Sequence, residues 1–158
     1  MFKNDEGYKD PTAGLAISHY MKDYKAKQRD RWRREEAIKS RPMVYVISPY
    51  AGDIEENTAA AIRYCQYAIE RNKIPLASHL LYPAMLDDTI PEQRELGRMF
   101  GLSMLALCQE AWVFTEKRSD GMKAEIKEAS YLGIPVRFFM EDGYGKIFEQ
   151  RDPAGRAV

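Results

Sequence analysis

Short apolar runs alternate with longer amphipathic stretches over most of this chain. The runs are rich in β-branched and aromatic residues and are bounded by turn residues, as buried strands are; they cover residues 43–47, 74–77, 111–114 and 134–139. Apolar positions at helical spacing predict helices over residues 53–71, 92–108 and 121–132, with a loop over 79–89. Short, almost wholly apolar strands that alternate with helices predict a parallel sheet covered on both faces. The fold class is therefore α/β, a doubly wound, Rossmann-like sheet flanked by helices.

The first 42 residues differ from the rest in being largely polar. They predict one extra N-terminal helix over residues 12–39, which Ser40-Arg41-Pro42 ends. We divide the chain into an N-terminal helical extension, residues 1–42, and an α/β domain, residues 43–158. A helix of this kind is marginal by itself, so we expect it to pack on the domain or on another subunit.

Charge is balanced overall but uneven along the chain. The 24 Lys and Arg equal the 24 Asp and Glu, so the total does not favour binding to nucleic acid or to an anionic membrane. Residues 1–42 carry 11 basic against 7 acidic residues, whereas residues 43–158 carry 13 against 17. The two parts are thus expected to attract each other, within one chain or between subunits.

Other features narrow the compartment and the chemistry. The polar N-terminus lacks the apolar core of a signal peptide, and no apolar run approaches the roughly 18 residues that span a bilayer, so we expect a cytoplasmic protein. Cys65 and Cys108 lie in apolar, helical contexts and are interpreted as structural thiols. The pair Asp87-Asp88 has no third ligand at useful spacing, so we expect no metal, and no cofactor.

Ligands of such folds bind at the carboxyl ends of the strands, which directs attention to the segments that follow them. The turn Ser48-Pro49-Tyr50-Ala51-Gly52 opens into a helix, where small residues and free N–H groups suit an anion. The same residues are equally consistent with a plain turn in which Asp53 or Ser48 caps the helix.

A second segment, Ser119 to Glu125, follows the third strand. Gly121 permits a sharp entry into the helix, and Ser119 or Asp120 can cap it. Glu125 lies about one turn inside, where its carboxylate could face the cleft. A Glu near the start of a helix is also ordinary helix chemistry, so this segment alone decides nothing.

Residues of the second loop are further candidates. His79 follows the second strand and could donate to a nucleobase, although a loop histidine bonded to backbone is the simpler interpretation. Tyr50 and Tyr82 could stack on a base or simply pack within their loops.

Taken together, these segments resemble the nucleoside 2-deoxyribosyltransferase superfamily, near its deoxynucleoside-monophosphate N-glycosidases. Three features carry the resemblance: the turn Ser48–Gly52, with Ala51 for the first glycine of Ser-x-x-Gly-Gly; the Ser-x-Gly-x-x-x-Glu spacing of Ser119–Glu125; and the strand entry Leu132-Gly133-Ile134-Pro135-Val136. The likeness spans about residues 43–139. More closely, Tyr45–Phe139 resembles an uncharacterised bacterial and phage subgroup with the motifs Ser-Pro-Tyr-x-Gly-Asp, Pro-x-x-x-His-Leu and Arg-Glu-Leu-Gly.

The resemblance implies an enzyme that acts on the N-glycosidic bond of a nucleoside or nucleotide, as a hydrolase or deoxyribosyl transferase. By position, Glu125 is the implied nucleophile at the anomeric carbon, as in retaining glycosidases. Ser48 and Ser119 are the implied donors to a 5′-phosphate, with Tyr50, Gly52 and Gly121 completing the binding segments. A homodimer or larger homo-oligomer is also implied, and we expect the N-terminal helix, which the likeness does not include, to mediate its contacts.

The sequence departs from the superfamily at an acidic pair. In the pattern Asp-x-x-x-Leu-x-x-Cys/Ala-Asp, the first Asp is here Gly101 and the second is Gln109. Either another acid replaces it, with Asp87, Asp88 and Glu95 as candidates, or the chemistry differs. A non-catalytic nucleotide-binding protein, a sensor or a sequestering protein, is the alternative function.

Overall fold

The computed structural model describes residues 11–115 and 117–150 and contains five helices, one 3-10 turn and five strands within them. In chain order these are α1 Pro11–Lys39, β1 Met43–Ile47, α2 Ile54–Glu70, β2 Ile74–Leu76, α3 Ser78–Leu81, the 3-10 turn Tyr82–Ala84, α4 Pro91–Leu105, β3 Glu110–Phe114, α5 Asp120–Tyr131, β4 Val136–Glu141 and β5 Ile147–Glu149. The chain divides into two compact units between Arg41 and Pro42.

The first unit contributes α1, a single helix of 29 residues. Its charged residues pair along the helix surface, for example Arg31 with Glu35 at 2.9 Å. Tyr20 and Tyr24, one turn apart, stack with their ring centroids 6.5 Å apart. Pairs at this spacing support a long polar helix.

The second unit is an α/β sheet in the order β2-β1-β3-β4-β5. The pairs β1–β2, β1–β3 and β3–β4 are parallel, and β5 pairs antiparallel with β4. The predicted α/β class with a parallel sheet flanked by helices is confirmed. Because β2 and β3 lie on opposite sides of β1, the strand order reverses at β1, which makes the carboxyl ends of β1 and β3 the topological switch point.

Alternate side chains of the strands form two cores. On one face Val44, Val46, Trp112, Phe114 and Phe139 pack with α2, chiefly Tyr64 and Ala68. On the other face Tyr45, Ile47, Ala111 and Val113 pack with Leu105 of α4 and with Met122 and Ala129 of α5. This alternation explains why the strands are apolar on both faces.

Most predicted boundaries agree with the structure to within one or two residues, and the larger differences are these. Residues 79–89 were predicted to be a loop, but α3 and the 3-10 turn occupy the first part of that segment. The helix predicted over 92–108 ends at Leu105, so Cys108 lies in the turn before β3. The strand predicted at 134–139 starts at Val136, because Ile134 N–H closes α5 by bonding Ala129 O and Gly133 takes a left-handed φ of 70°. The antiparallel edge strand β5 is an addition to the predicted sheet.

Candidate functional site

The site lies at the carboxyl edge of the sheet, where β1 and β2 lead directly into Ser48 and α3. A cleft of about 500 Å³ opens there. It is lined by Tyr50, Ser78, His79, Tyr82, Pro83, Leu86, Asp88, Gln93, Arg94, Gly97, Arg98, Asp120 and Gly121. This volume is within the usual range for pockets that hold small molecules. The predicted candidates Tyr50, His79 and Gly121 therefore meet at one cleft.

Glu125 lies one turn inside α5 and connects to this cleft through two hydroxyl groups. Tyr45 Oη donates to Glu125 Oε1 at 2.8 Å, and the same Oη lies 2.7 Å from Ser78 Oγ. Ser78 lines the cleft, whereas Glu125 itself is partly exposed beside it. The chain of contacts from cleft to carboxylate is thus Ser78, Tyr45, Glu125.

Burial controls the protonation of this carboxylate. It raises the pKa of Glu125 to about 7, and the hydrogen bond from Tyr45 opposes that rise. Burial and the nearby Glu125 charge raise the pKa of Tyr45, so its phenol stays protonated and remains a donor. A carboxyl group that titrates near neutral pH beside a cleft is typical of a functional site.

Tyr45 and Ser78 were missed by sequence reasoning. Tyr45 lies in the apolar run that predicts β1, where it counts as a core residue, and it is fully buried. Ser78 follows β2 and is 8% exposed. A signal was present, because a polar-tipped residue in a buried strand needs a hydrogen-bond partner.

The structure explains how Gly101 fits here. Gly101 lies on α4, and a Cβ built on it would be 3.0 Å from Tyr45 Oη and 3.1 Å from Ser78 Oγ. A side chain at position 101 would therefore press on these two hydroxyls. Gln109, the other departure, accepts a hydrogen bond from Met43 N at 2.6 Å, at the opposite edge of the sheet from the cleft.

Ser48 and His79 form a second polar pair at the cleft. Ser48 is 6% exposed, and its Oγ lies 2.9 Å from His79 Nε2. Burial lowers the pKa of His79 to about 4, so the imidazole is neutral at physiological pH. His79 is therefore a neutral hydrogen-bonding group that lines the cleft, with Ser48 holding its Nε2.

A neighbouring side pocket lies at the switch point between β1 and β3. It has a volume of about 630 Å³ and is lined by Pro49, Ala51, Asn57, Thr115, Lys117, Arg118 and Ser119. Ser119 caps α5 by accepting from Met122 N at 3.3 Å, as one of the two alternatives for this helix predicted. Lys117 and Arg118 give the side pocket two cationic side chains.

The turn Ser48–Gly52 is fixed by the start of α2. Asn57 Nδ2 donates to the carbonyls of Tyr50 and Ala51 at 3.0 and 2.9 Å, and Asp53 caps α2 by accepting from Glu56 N. Gly52 takes a φ of 100°, which favours glycine. The acidic residues Asp53, Glu55 and Glu56 gather at this helix start and oppose an anion there.

Glu95 is placed apart from the other candidates. It is exposed on α4, and Arg98 binds both of its carboxylate oxygens at 2.6 and 2.9 Å. Among the described residues of this helix, Gln93, Arg94, Gly97 and Arg98 line the cleft and Glu95 does not. Of the two loop carboxylates, Asp88 lines the cleft, and Asp87 accepts from Thr89 in its own loop.

The described ranges, 11–115 and 117–150, hold no cluster of three or more His, Cys, Asp or Glu side chains placed to bind a metal ion. Within the same ranges, each helix is too short or too polar to cross a membrane.

Residues 42–139 match the model of the family described as domain of unknown function DUF7768. The chain belongs to this family. Comparison with curated proteins finds no match.

Two solved structures are similar to this chain at low sequence identity. A 2-deoxyribosyltransferase from Bacillus psychrosaccharolyticus is 16% identical, with a TM-score of 0.53 over 64% of this chain and 74% of that one. A 2-desoxiribosyltransferase from Leishmania mexicana is 15% identical, with a TM-score of 0.49 over 64% of this chain and 65% of the other. The first of these matches shows that the α/β unit of this DUF7768 protein has a fold similar to that of a 2-deoxyribosyltransferase.

Proposed function

We propose that this protein cleaves the N-glycosidic bond of a nucleoside or nucleotide, with Glu125 as the nucleophile. The observation that carries the proposal is the placement of Glu125 in the first turns of α5, bonded to Tyr45 and joined through Ser78 to the cleft. The resemblance of the fold to a 2-deoxyribosyltransferase supports the same class of substrate. The Ser-x-Gly-x-x-x-Glu spacing supports it from the sequence.

The reaction needs an ionised carboxylate beneath the anomeric carbon. An oxygen of Glu125 forms a bond to that carbon while the bond from carbon to the base nitrogen breaks and the base takes the electron pair. The base gains a proton from solvent, and water or a second base then displaces Glu125 from the glycosyl ester. Because only the ionised form attacks, we expect base release to increase as the pH rises through about 7, the pKa of Glu125.

The polar groups of the cleft suit a nucleoside. Tyr50 and Tyr82 offer aromatic surfaces, and the neutral His79 offers a hydrogen bond to a base or a sugar hydroxyl. For a 5′-phosphate, Ser119 with Lys117 and Arg118 in the side pocket is the better match. Ser48 is not used in this way, since its hydroxyl is buried against His79.

The predicted catalytic role of Glu95 has no part in this proposal, because Arg98 binds its carboxylate. Self-association through residues 1–42 stays a prediction from the sequence.

The alternative function is a nucleotide sensor or sequestering protein that binds in the same cleft without turnover. The absence of the usual acid at Gly101 is the observation that favours it. Tyr45 and Ser78 weaken that argument, because they supply hydroxyl groups where the acid would stand.

One experiment separates the two functions. Nucleosides and nucleoside monophosphates are screened by thermal shift, and each mixture is analysed by chromatography for free base. A ligand at 100 times its dissociation constant stabilises a protein by about 2.7 kcal/mol, which a thermal shift detects. A stabilising ligand that releases base identifies the substrate, whereas one that stays intact favours the sensor. If no nucleoside or nucleotide shifts the melting temperature, the proposal is wrong.

Glu125→Gln then tests the nucleophile. It keeps the shape and the contact with Tyr45, so binding should persist while base release falls by at least about 1,000-fold. Glu128→Gln, one turn further along α5, is the matched control and should release base at the wild-type rate. Wild-type release by Glu125→Gln would contradict the assignment.

A further inference from the structure

Inside the α/β unit, the backbone of Gly101 packs against the hydroxyl groups of Tyr45 and Ser78. Gly101 is buried in α4, and a Cβ there would be 3.0 Å from Tyr45 Oη and 3.1 Å from Ser78 Oγ. These distances are well inside ordinary van der Waals contact. A side chain at position 101 therefore requires the two hydroxyls to shift by a few tenths of an ångström.

Counting protons gives the direction of the hydrogen bonds. Tyr45 has one hydroxyl proton, and an ionised Glu125 can only accept, so that proton points to Glu125 Oε1. Ser78 Oγ, at 2.7 Å, must then donate to Tyr45 Oη. With Glu125 ionised, Ser78 fixes the phenol in the orientation that the carboxylate needs.

We propose that Ser78 is a positioning residue for Glu125, acting through Tyr45, and that glycine at position 101 leaves this pair of hydroxyls undisplaced. The proposal deepens the function above and rests on the role given there to Glu125. It also accounts for the missing acid of the resembling enzymes, because the hydroxyl pair occupies the space of a side chain at 101.

Among the described polar groups, the hydroxyl of Tyr45, which Ser78 bonds in turn, has the main effect on the Glu125 carboxylate. Tyr45 of β1 bonds the carboxylate, and Ser78 of α3 bonds Tyr45. Gly101 of α4 lies beside both hydroxyls. Cys108, in the turn after α4, acts on Tyr45, and burial raises the pKa of its thiol to about 11, so the thiol is neutral.

The test is a direct titration of the Glu125 carboxyl group by 13C NMR in the full chain, with Glu125→Gln to assign its signal. Gly101→Ala should displace the phenol and raise the pKa of Glu125 by about one pH unit or more, a tenfold change in ionisation. Ser78→Ala should raise it by a smaller amount, because the phenol loses its anchor. Gly97→Ala on the same helix meets the flexible end of Leu86 at 3.3 Å and Tyr82 Cβ at an ordinary contact distance of 3.9 Å, and it should leave the pKa of Glu125 unchanged.

The decisive comparison uses Tyr45→Phe, which removes the hydroxyl that Gly101 accommodates. In that background Gly101→Ala should cause no further shift, since the added methyl group fills the vacated space. A full and equal shift in both backgrounds would overturn the proposal. So would an unchanged pKa in Ser78→Ala, which decides the matter if Gly101→Ala does not fold.

These readouts do not depend on turnover, so the two proposals can fail separately. If the wild type releases no base but the pKa shifts follow the pattern above, the glycosidase function is wrong and the positioning contact stands. If the wild type releases base and the pKa of Glu125 is insensitive to positions 78 and 101, the positioning role is wrong.

Discussion

Glu125 and His79 change their protonation in opposite senses when the protein folds. Burial raises the pKa of Glu125 from 4.5 to about 7 and lowers that of His79 from 6.5 to about 4. Between about pH 4.5 and 6.5 the folded state thus holds one proton more at Glu125 and one fewer at His79 than the unfolded chain. We predict that the two effects on stability nearly cancel in the wild type.

The magnitude follows from the size of the shifts. For Glu125, the stability present below pH 4.5 is lost as the pH rises through about 7. For His79, the stability present above pH 6.5 is lost as the pH falls through about 4. For each group, the free energy of unfolding changes by about 1.4 kcal/mol per pH unit between its two pKa values, and the complete pKa shift changes it by about 3 kcal/mol.

Two single variants separate the two pH dependences of the free energy of unfolding, which nearly cancel in the wild type. Urea unfolding of the wild type, Glu125→Gln and His79→Gln between pH 4.5 and 8 measures the free energy of unfolding. Glu125→Gln should gain about 3 kcal/mol relative to the wild type as the pH rises over this range. His79→Gln should gain about 2 kcal/mol relative to the wild type as the pH falls over the same range.

Each variant is the control for the other, because the remaining titrating groups are common to all three proteins. Differences from the wild type that change with pH in opposite directions would support the reasoning. Free energies that stay parallel to the wild type for both variants would refute it, since burial would then not shift either group.

Two further predictions concern parts of the fold away from the cleft. Arg137→Ala removes two hydrogen bonds to Glu149 and one to Glu110 and should cost about 2 kcal/mol in urea unfolding. Arg31→Ala, which breaks an exposed pair on α1, should cost no more than about 0.5 kcal/mol, and equal costs would contradict the argument. Burial raises the pKa of both Cys65 and Cys108 to about 11, so each should alkylate at pH 8 at least about 100-fold more slowly in the native protein than in urea. Equal rates in the two conditions would show that neither thiol is protected.

The strands that build the sheet were predictable because burial imposes a strong and local pattern. Every apolar run that predicted a strand contains one, and β1 matches its predicted bounds, Met43–Ile47. The edge strand β5 lacks that pattern, since Phe148 is exposed and the strand is three residues long. Its place depends on pairing with β4, which a local pattern does not encode.

The candidate site was predictable only in part, for a related reason. The cap at Ser119 and the helical placement of Glu125 follow from local spacing, and the sequence predicted both. The partners of Glu125 do not, because Tyr45 is 80 residues away from it and Ser78 is 33 residues from Tyr45. Only the register of β1 beside β2 and β3 brings these hydroxyls to the same edge.

Gly101 shows why a motif compared residue by residue can misjudge a site. Read along the sequence, a glycine at that position is the loss of an acid and favours a protein without turnover. In the fold, the same glycine leaves room for two hydroxyl groups, and one of them is bonded to Glu125. Because function belongs to the arrangement of groups at the site and not to the fold, the chemistry here depends on whether that hydroxyl pair can support an ionised carboxylate. The glycine at position 101 therefore affects which groups surround Glu125, and its presence does not by itself exclude catalysis.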